Sequence, residues 1–234
     1  MRISNELPSA FQEKIREEYP QYQTQFGQEV LAVDPREKFS MPPIHQLLNA
    51  HTFISEKNTS NVTIAHNYFY FSTSTYLNWI DFKERLFKVL RQFEDIYAPQ
   101  SYIRIGLRYL DLFVRSEYNL TDKKWTELVH PQFLSQLSNE YADDNMFNNV
   151  CDVKFKDSSE RARIITAVVS NPKGQWPNNP NAEKCLLFDT DVYTLDRVST
   201  SDGEVKLDRL HEYASKMFHS IPTPMLKDAM GPIQ

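Results

Sequence analysis

The chain has 234 residues, 41% of them hydrophobic and 13% aromatic, enough to bury a sizeable core and unlike a disordered composition. Its formal net charge of −5 argues against a general binder of nucleic acid or anionic membrane. No apolar run approaches the roughly 20 residues of a bilayer span. Arg2, Ser4, Asn5 and Glu6 leave no apolar stretch for a signal peptide, so a cytoplasmic protein is expected. The two cysteines, Cys151 and Cys185, sit beside strand-like runs and are expected as reduced, buried thiols.

Residues 8–19 read as a helix, with Pro8 in the first turn, an apolar stripe of Ala10, Phe11, Ile15 and Tyr19, and Pro20 as the stop. Prolines punctuate 21–50, where 29–33 suggests a strand. Three strands follow at 51–56, 62–66 and 68–73, the last dense in aromatics. Trp79, Phe82, Leu86, Val89, Leu90, Phe93 and Tyr97 recur at three- and four-residue steps, which predicts a helix over 79–97.

A strand over 103–112 comes next. Ile103, Ile105, Leu107 and Tyr109 alternate as its apolar side, and Arg104, Gly106 and Arg108 occupy the other. Residues 125–141 hold one or two short helices, the second starting at Pro131. Strands are expected at 150–155, 161–170 and 184–193, and a final helix at 207–218. The turn-rich stretch 171–180 reads as a surface connection. The expected fold is α+β, mainly antiparallel sheet with helices packed on it, as two similar β-α-β-β-β-α halves. These halves cover 1–115 and 116–234 and form one compact unit.

Several stretches match a family in order. The 7–20 segment with Phe11 and Tyr19-Pro20, the Trp-led helix with Trp79, Phe82 and Tyr97, and the strand Arg104-Ile105-Gly106-Leu107-Arg108-Tyr109 are the most telling. Leu187-Phe188-Asp189-Thr190-Asp191-Val192 and Met217-Phe218-His219 complete the set. The chain thus resembles a sporadically distributed family of uncharacterised bacterial proteins of about its own length. That resemblance implies a cytoplasmic α+β protein, with the patchy distribution common among mobile defence or toxin–antitoxin genes. Three features depart from the family. Met1-Arg2-Ile3-Ser4 shortens its opening strand, as in a truncated or alternative start. Asp111 stands where the family carries Asn, and Ile221-Pro222-Thr223-Pro224 replaces a Thr-Asp pair.

The sharpest constellation joins two strands. Alternate residues share a face, so Arg104 and Arg108 align on one strand, and Asp189 and Asp191 on another. If these strands are neighbours, the four groups form a cross-strand ion-pair ladder. If they are not, the arginines can clamp an anion such as a phosphate, because a planar guanidinium binds two oxygens at once. A carboxylate metal site from Asp111, Asp189 and Asp191 is disfavoured, since Asp111 falls on the apolar side of its strand. The six histidines, His45, His51, His66, His130, His211 and His219, form no HxH or HExxH arrangement. With five glycines and no Gly-x-Ser-x-Gly, neither a phosphate-cradling loop nor a hydrolase elbow is present. Tyr68 and Tyr70 are expected on an exposed sheet face that suits a protein partner better than nucleic acid.

The sequence therefore favours a non-enzymatic, cytoplasmic protein-interaction module, a component of a bacterial defence or toxin–antitoxin-like system, with a protein partner or a homodimer. It implies no cofactor and no metal. The alternative is a sensor or enzyme that binds a nucleotide or other anionic ligand through Arg104 and Arg108, with Asp189 or Asp191 orienting it.

Overall fold

Phe11 and Ile15 stand one helical turn apart, and both are buried in the first helix, α1 (Ser9–Ile15). The structure is a computed structural model that describes residues 8–25, 50–134, 149–157, 160–170 and 183–231. The strand expected at 29–33, the connection at 171–180 and His45 lie outside these residues. The chain divides into two compact units, Met1–Pro99 and Gln100–Gln234.

In the first unit α1 ends before the predicted Tyr19. The Tyr19 amide still closes a last turn on the Ile15 carbonyl (2.9 Å), and Pro20 then releases the chain into β1 (Gln21–Gln25). This strand was not predicted, because its alternation is carried by glutamines against only Tyr22 and Thr24. It opens an antiparallel meander with β2 (Ala50–Ile54), β3 (Ser60–Ile64) and β4 (Phe69–Thr73), in spatial order β1-β2-β3-β4. The register aligns Tyr22, Phe53, Val62 and Phe71 in one row, and Thr24, His51, Ile64 and Phe69 in the next on the same face.

Helix α2 (Trp79–Tyr97) has the span its periodicity predicts. The Asn78 side chain accepts a hydrogen bond from the Asp81 amide (2.9 Å) to cap the start. Ala98, left-handed at φ 47°, returns its amide to Glu94 at the end. Val89 and Phe93 of α2 and Phe11 and Ile15 of α1 share one core with Phe53, Val62, Ile64 and Phe71. Edge-to-face ring contacts join Phe11 to Phe53 (5.4 Å) and to Phe93 (6.3 Å).

In the second unit β5 (Ser101–Tyr102) pairs with β10 (Val198–Ser199). The main sheet comprises β6 (Gly106–Phe113), β7 (Asn149–Asp157), β8 (Glu160–Ser170) and β9 (Lys184–Thr194), antiparallel in the order β6-β9-β8-β7. The strand that the sequence groups with residues 1–115 thus hydrogen-bonds within the second unit, and the boundary between units falls after Pro99. Short helical pieces at α3 (Trp125–Leu128) and Pro131–Phe133 follow the prediction. Helix α4 (Gly203–His219) lays Leu207, Leu210 and Ala214 inward and contacts β6 and β9.

A last helix, α5 (Pro224–Met230), was not predicted. The segment before it takes part in local pairing, with the His130 amide bonding the Ile221 carbonyl (3.0 Å) and the Thr223 amide the Leu128 carbonyl (2.9 Å). Pro224 then starts the helix where a missing amide costs nothing. Trp125, Leu128, Ile164, Leu186, Ile221 and Leu226 are all essentially inaccessible to solvent in this core.

The architecture is α+β with antiparallel sheets and helices packed on them. Each unit contains a three-strand meander followed by a long helix. The remaining strand pairs with the first meander strand in one unit (β1 beside β2) and with the last in the other (β6 beside β9). The units therefore share layers but not strand order. No described helix is long and apolar enough to cross a membrane.

Candidate functional site

Strands β6 and β9 are direct neighbours, with Arg108 opposite Asp191 and Leu110 opposite Asp189. Arg108 reaches across the diagonal. Its Nε donates to Asp189 Oδ1 (2.7 Å) and its Nη2 to Asp189 Oδ2 (2.5 Å), a bidentate fork. The two partners differ in exposure: the Asp189 side chain is 8% exposed and that of Arg108 55%.

Arg104 does not lie on the strand. Regular pairing begins at Gly106, and Ile103, expected on the apolar side, is 74% exposed. The chain is instead held by Ile105, whose amide donates to Thr194 Oγ1 (3.0 Å) and whose carbonyl accepts from the Thr194 amide (2.9 Å). From this position Arg104 folds over Gly106, where its guanidinium carbon would lie 3.7 Å from an added Cβ. It donates to Asp191 (3.2 Å) and stacks 4.2 Å above the Tyr193 ring. Burial holds the Asp191 carboxyl above its ordinary pKa, with Arg104 and Arg108 offsetting only part of that rise.

The ladder extends beyond the four residues read from sequence. Arg163 on β8 stands opposite Asp191 and forks onto Asp152 of β7 at 3.0 and 2.7 Å. Its signal was present as the alternate pair Arg161 and Arg163. Asp152 offered none, since only the β7–β8 register brings it into reach. As built, the face neutralises its carboxylates internally. An anion that takes both donors of Arg108 must first displace Asp189.

Asp111 belongs to a different surface. It sits on the helix-covered side of β6, opposite Phe188, so the three aspartates do not converge. Burial raises its pKa to about 6. On the same side Tyr109 hydrogen-bonds His211 Nδ1 of α4 (2.9 Å), and burial lowers the pKa of that imidazole against the pull of Asp208 and Glu212. His51 is buried in the first unit, where its Nδ1 meets the Tyr22 hydroxyl (2.8 Å). Among the described residues no group of three His, Cys, Asp or Glu could hold a metal ion. Cys185 is a buried free thiol.

Tyr68 and Tyr70 are not equivalent. Tyr68 lies in the β3–β4 turn, half-buried, with its carbonyl accepting from the Ala65 amide and its phenol pKa raised by burial. Tyr70 stands opposite Thr63 on the sheet face away from the core and is 54% exposed. Sequence reasoning missed a further exposed group around the start of α2. Tyr76, Leu77 and Ile80 are 40, 69 and 67% exposed. Ile80 is off the Trp79–Phe82–Leu86 stripe, the one available sign that it faces solvent.

No family model, no curated protein and no solved structure matches this chain.

Proposed function

We propose that this protein is a non-enzymatic protein-interaction module. The observation that carries the reading is the run of exposed large apolar side chains at the start of α2, with Tyr76, Leu77 and Ile80 within five residues, together with Tyr70 on the open sheet face. Isolated exposed apolar residues are ordinary, whereas contiguous ones are characteristic of association surfaces. Tyrosine suits such a surface because its ring is apolar and its hydroxyl remains hydrogen-bonded in a wet rim. The internal satisfaction of Arg108 by Asp189 favours this over the anion-binding alternative. The resemblance read from the sequence supports extending the proposal to a component of a defence or toxin–antitoxin-like system, with the product of an adjacent gene or a second copy of the chain as partner.

Light scattering on the purified chain, alone and co-expressed with the product of the adjacent gene, tests the reading. The expected result is a defined complex, heteromeric or homodimeric, that Leu77→Ser combined with Ile80→Ser dissociates while the folded circular dichroism spectrum is kept. A chain that stays monomeric with and without its neighbour, and that a nucleotide stabilises thermally, overturns it in favour of the anionic-ligand reading.

A further inference from the structure

No Asp, Glu, Lys or Arg stands between Lys57 and Asp81, in a chain of which 24% is charged. This uncharged stretch builds the β3–β4 hairpin and the start of α2. Its outer limit is β4, the last strand of the first sheet, with no strand beside it among the described residues.

The phase of the hydrogen bonding decides what that edge offers. The Tyr68 carbonyl accepts from the Ala65 amide, and the Ser74 amide donates to the Thr59 carbonyl. Bonded pairs alternate along an antiparallel ladder, so Tyr70 and Ser72 between them turn their backbone groups to β3. Phe69, Phe71 and Thr73 turn theirs outward. Among the described residues no hydrogen bond engages those outward amides and carbonyls.

The other edge strands of the two four-stranded sheets are guarded. Glutamines fill β1, which follows Pro20, Arg108 and Asp111 mark β6, and Lys154 and Lys156 mark β7. By contrast β4 reads Phe-Tyr-Phe-Ser-Thr, without charge or proline. An uncharged, aromatic edge of this kind is a template for another strand, and proteins ordinarily blunt or cover it. Aromatic side chains also line it. Phe71, Tyr76 and Trp79 all contact the Phe82 ring, and Phe69 contacts Phe93. Phe69, Trp79 and Phe82 are only partly buried.

We propose that a second copy of this chain covers the edge, β4 pairing antiparallel with the partner's β4 about a twofold axis through Phe71. This register sets Phe69 opposite the partner's Thr73 and Phe71 opposite itself. Each outward residue then meets another outward residue, the condition for a hydrogen-bonded pair. A register centred elsewhere leaves at least one of the three outside the paired strands. On the open face Tyr70 falls opposite the partner's Ser72. The strand is thus self-complementary, as an isologous contact requires. No like charges meet across the seam, although the chain as a whole carries −5. A charged foreign segment would find no opposite charge on this edge. The proposal rests on the interaction-module reading and deepens it by naming the occupant. The exposed Tyr76 and Leu77 follow directly from the end of the seam.

Sedimentation velocity and amide exchange on the full chain, across a concentration series, test it. A monomer–dimer equilibrium is expected, in which dimerisation slows exchange at Phe69, Phe71 and Thr73 at least about tenfold. The Tyr70 and Ser72 amides, already bonded to β3, should change little. Tyr70→Glu with Ser72→Glu opposes like charges twice across the seam, at positions that face only Thr63 and Asn61 within the chain. It should weaken the dimer at least about tenfold. Tyr70→Lys with Ser72→Glu makes both contacts attractive and should restore it. Thermal melts identify misfolding, and if the double glutamate variant does not fold, the wild-type exchange pattern and the lysine–glutamate variant decide. A chain that is monomeric at every concentration overturns the proposal. So does a dimer whose Phe69, Phe71 and Thr73 amides exchange as in the monomer, or one indifferent to the glutamates. Protection of those amides only by the product of the adjacent gene overturns it in favour of a foreign strand. The interaction-module reading survives such a failure if that product forms a complex that Leu77→Ser with Ile80→Ser dissociates.

Discussion

Truncating Arg108 separates an internal structural pair from a ligand clamp. Arg108→Ala leaves Asp189, which is 6% exposed, without the two charge-assisted hydrogen bonds that hold it. Removing one partner of a fully buried ion pair costs about 3–5 kcal/mol, whereas a fully exposed pair contributes about 0–1 kcal/mol. Here the acid is buried and the arginine side chain is 55% exposed, so water screens one partner and the cost falls between, at about 2 kcal/mol. That corresponds to a melting transition lower by about 6 °C for a chain of this size. Arg104→Ala breaks a longer contact to a more exposed carboxylate and should cost under about 1 kcal/mol even with the Tyr193 stacking included. Differential scanning calorimetry of both variants, with Asp189→Ala and the Arg108→Ala/Asp189→Ala double variant, gives the order and the coupling. The double variant should cost less than the sum of the singles by about 1–2 kcal/mol. The reasoning fails if Arg108→Ala melts with the wild type, if Arg104→Ala proves the more harmful, or if the two Arg108 and Asp189 changes simply add.

Asp111 has its folded-state pKa raised from 3.8 to about 6 by burial, so the native state binds this proton more tightly than the unfolded chain does. Its contribution therefore favours folding below about pH 4 and is lost as pH rises through 6, an effect of at most about 3 kcal/mol at neutral pH. Asp111→Asn should raise urea stability at pH 8 and converge with the wild type near pH 4; equal stability at both pH values refutes it. Phe11→Ala removes a fully buried ring that touches Phe53 and Phe93 and should cost about 3–5 kcal/mol, read as accelerated amide exchange across β2, β3 and α2. Ala98→Gly should stabilise the chain by about 0.5–1 kcal/mol, because Ala98 is held at φ 47° where a Cβ is strained; an unchanged denaturation midpoint counts against that strain.

Local chemistry determined what was local. The three- and four-residue spacing from Trp79 to Tyr97, with Asn78 ahead of it, specifies α2 to the residue, since a helix closes its own hydrogen bonds and needs only one apolar stripe. Alternation in Leu107–Tyr109 likewise set buried Leu107 apart from exposed Arg108 before any pairing was known. It placed Asp111 on the covered side of its strand, apart from Asp189 and Asp191. The weakly patterned β1 and the proline-started α5 escaped, because glutamines alternating with Tyr22 and Thr24 resemble a polar loop, and Ile221 and Leu226 are too few to show a period.

Pairing partners were beyond the sequence. A strand written as Arg104 to Asp111 has the same periodicity beside any neighbour, and only the sheet order β6-β9-β8-β7 decided that Arg108 meets Asp189 and that Arg163 and Asp152 join them. Tertiary structure also moved Arg104 off the strand, because Thr194 satisfies Ile105 one residue before regular pairing begins. The sequence by itself supplied the charges and the faces they occupy. Their conversion from a clamp-like pair of arginines into an internally bonded ladder came from register, which is set by contacts between segments 81 residues apart and leaves no local signature.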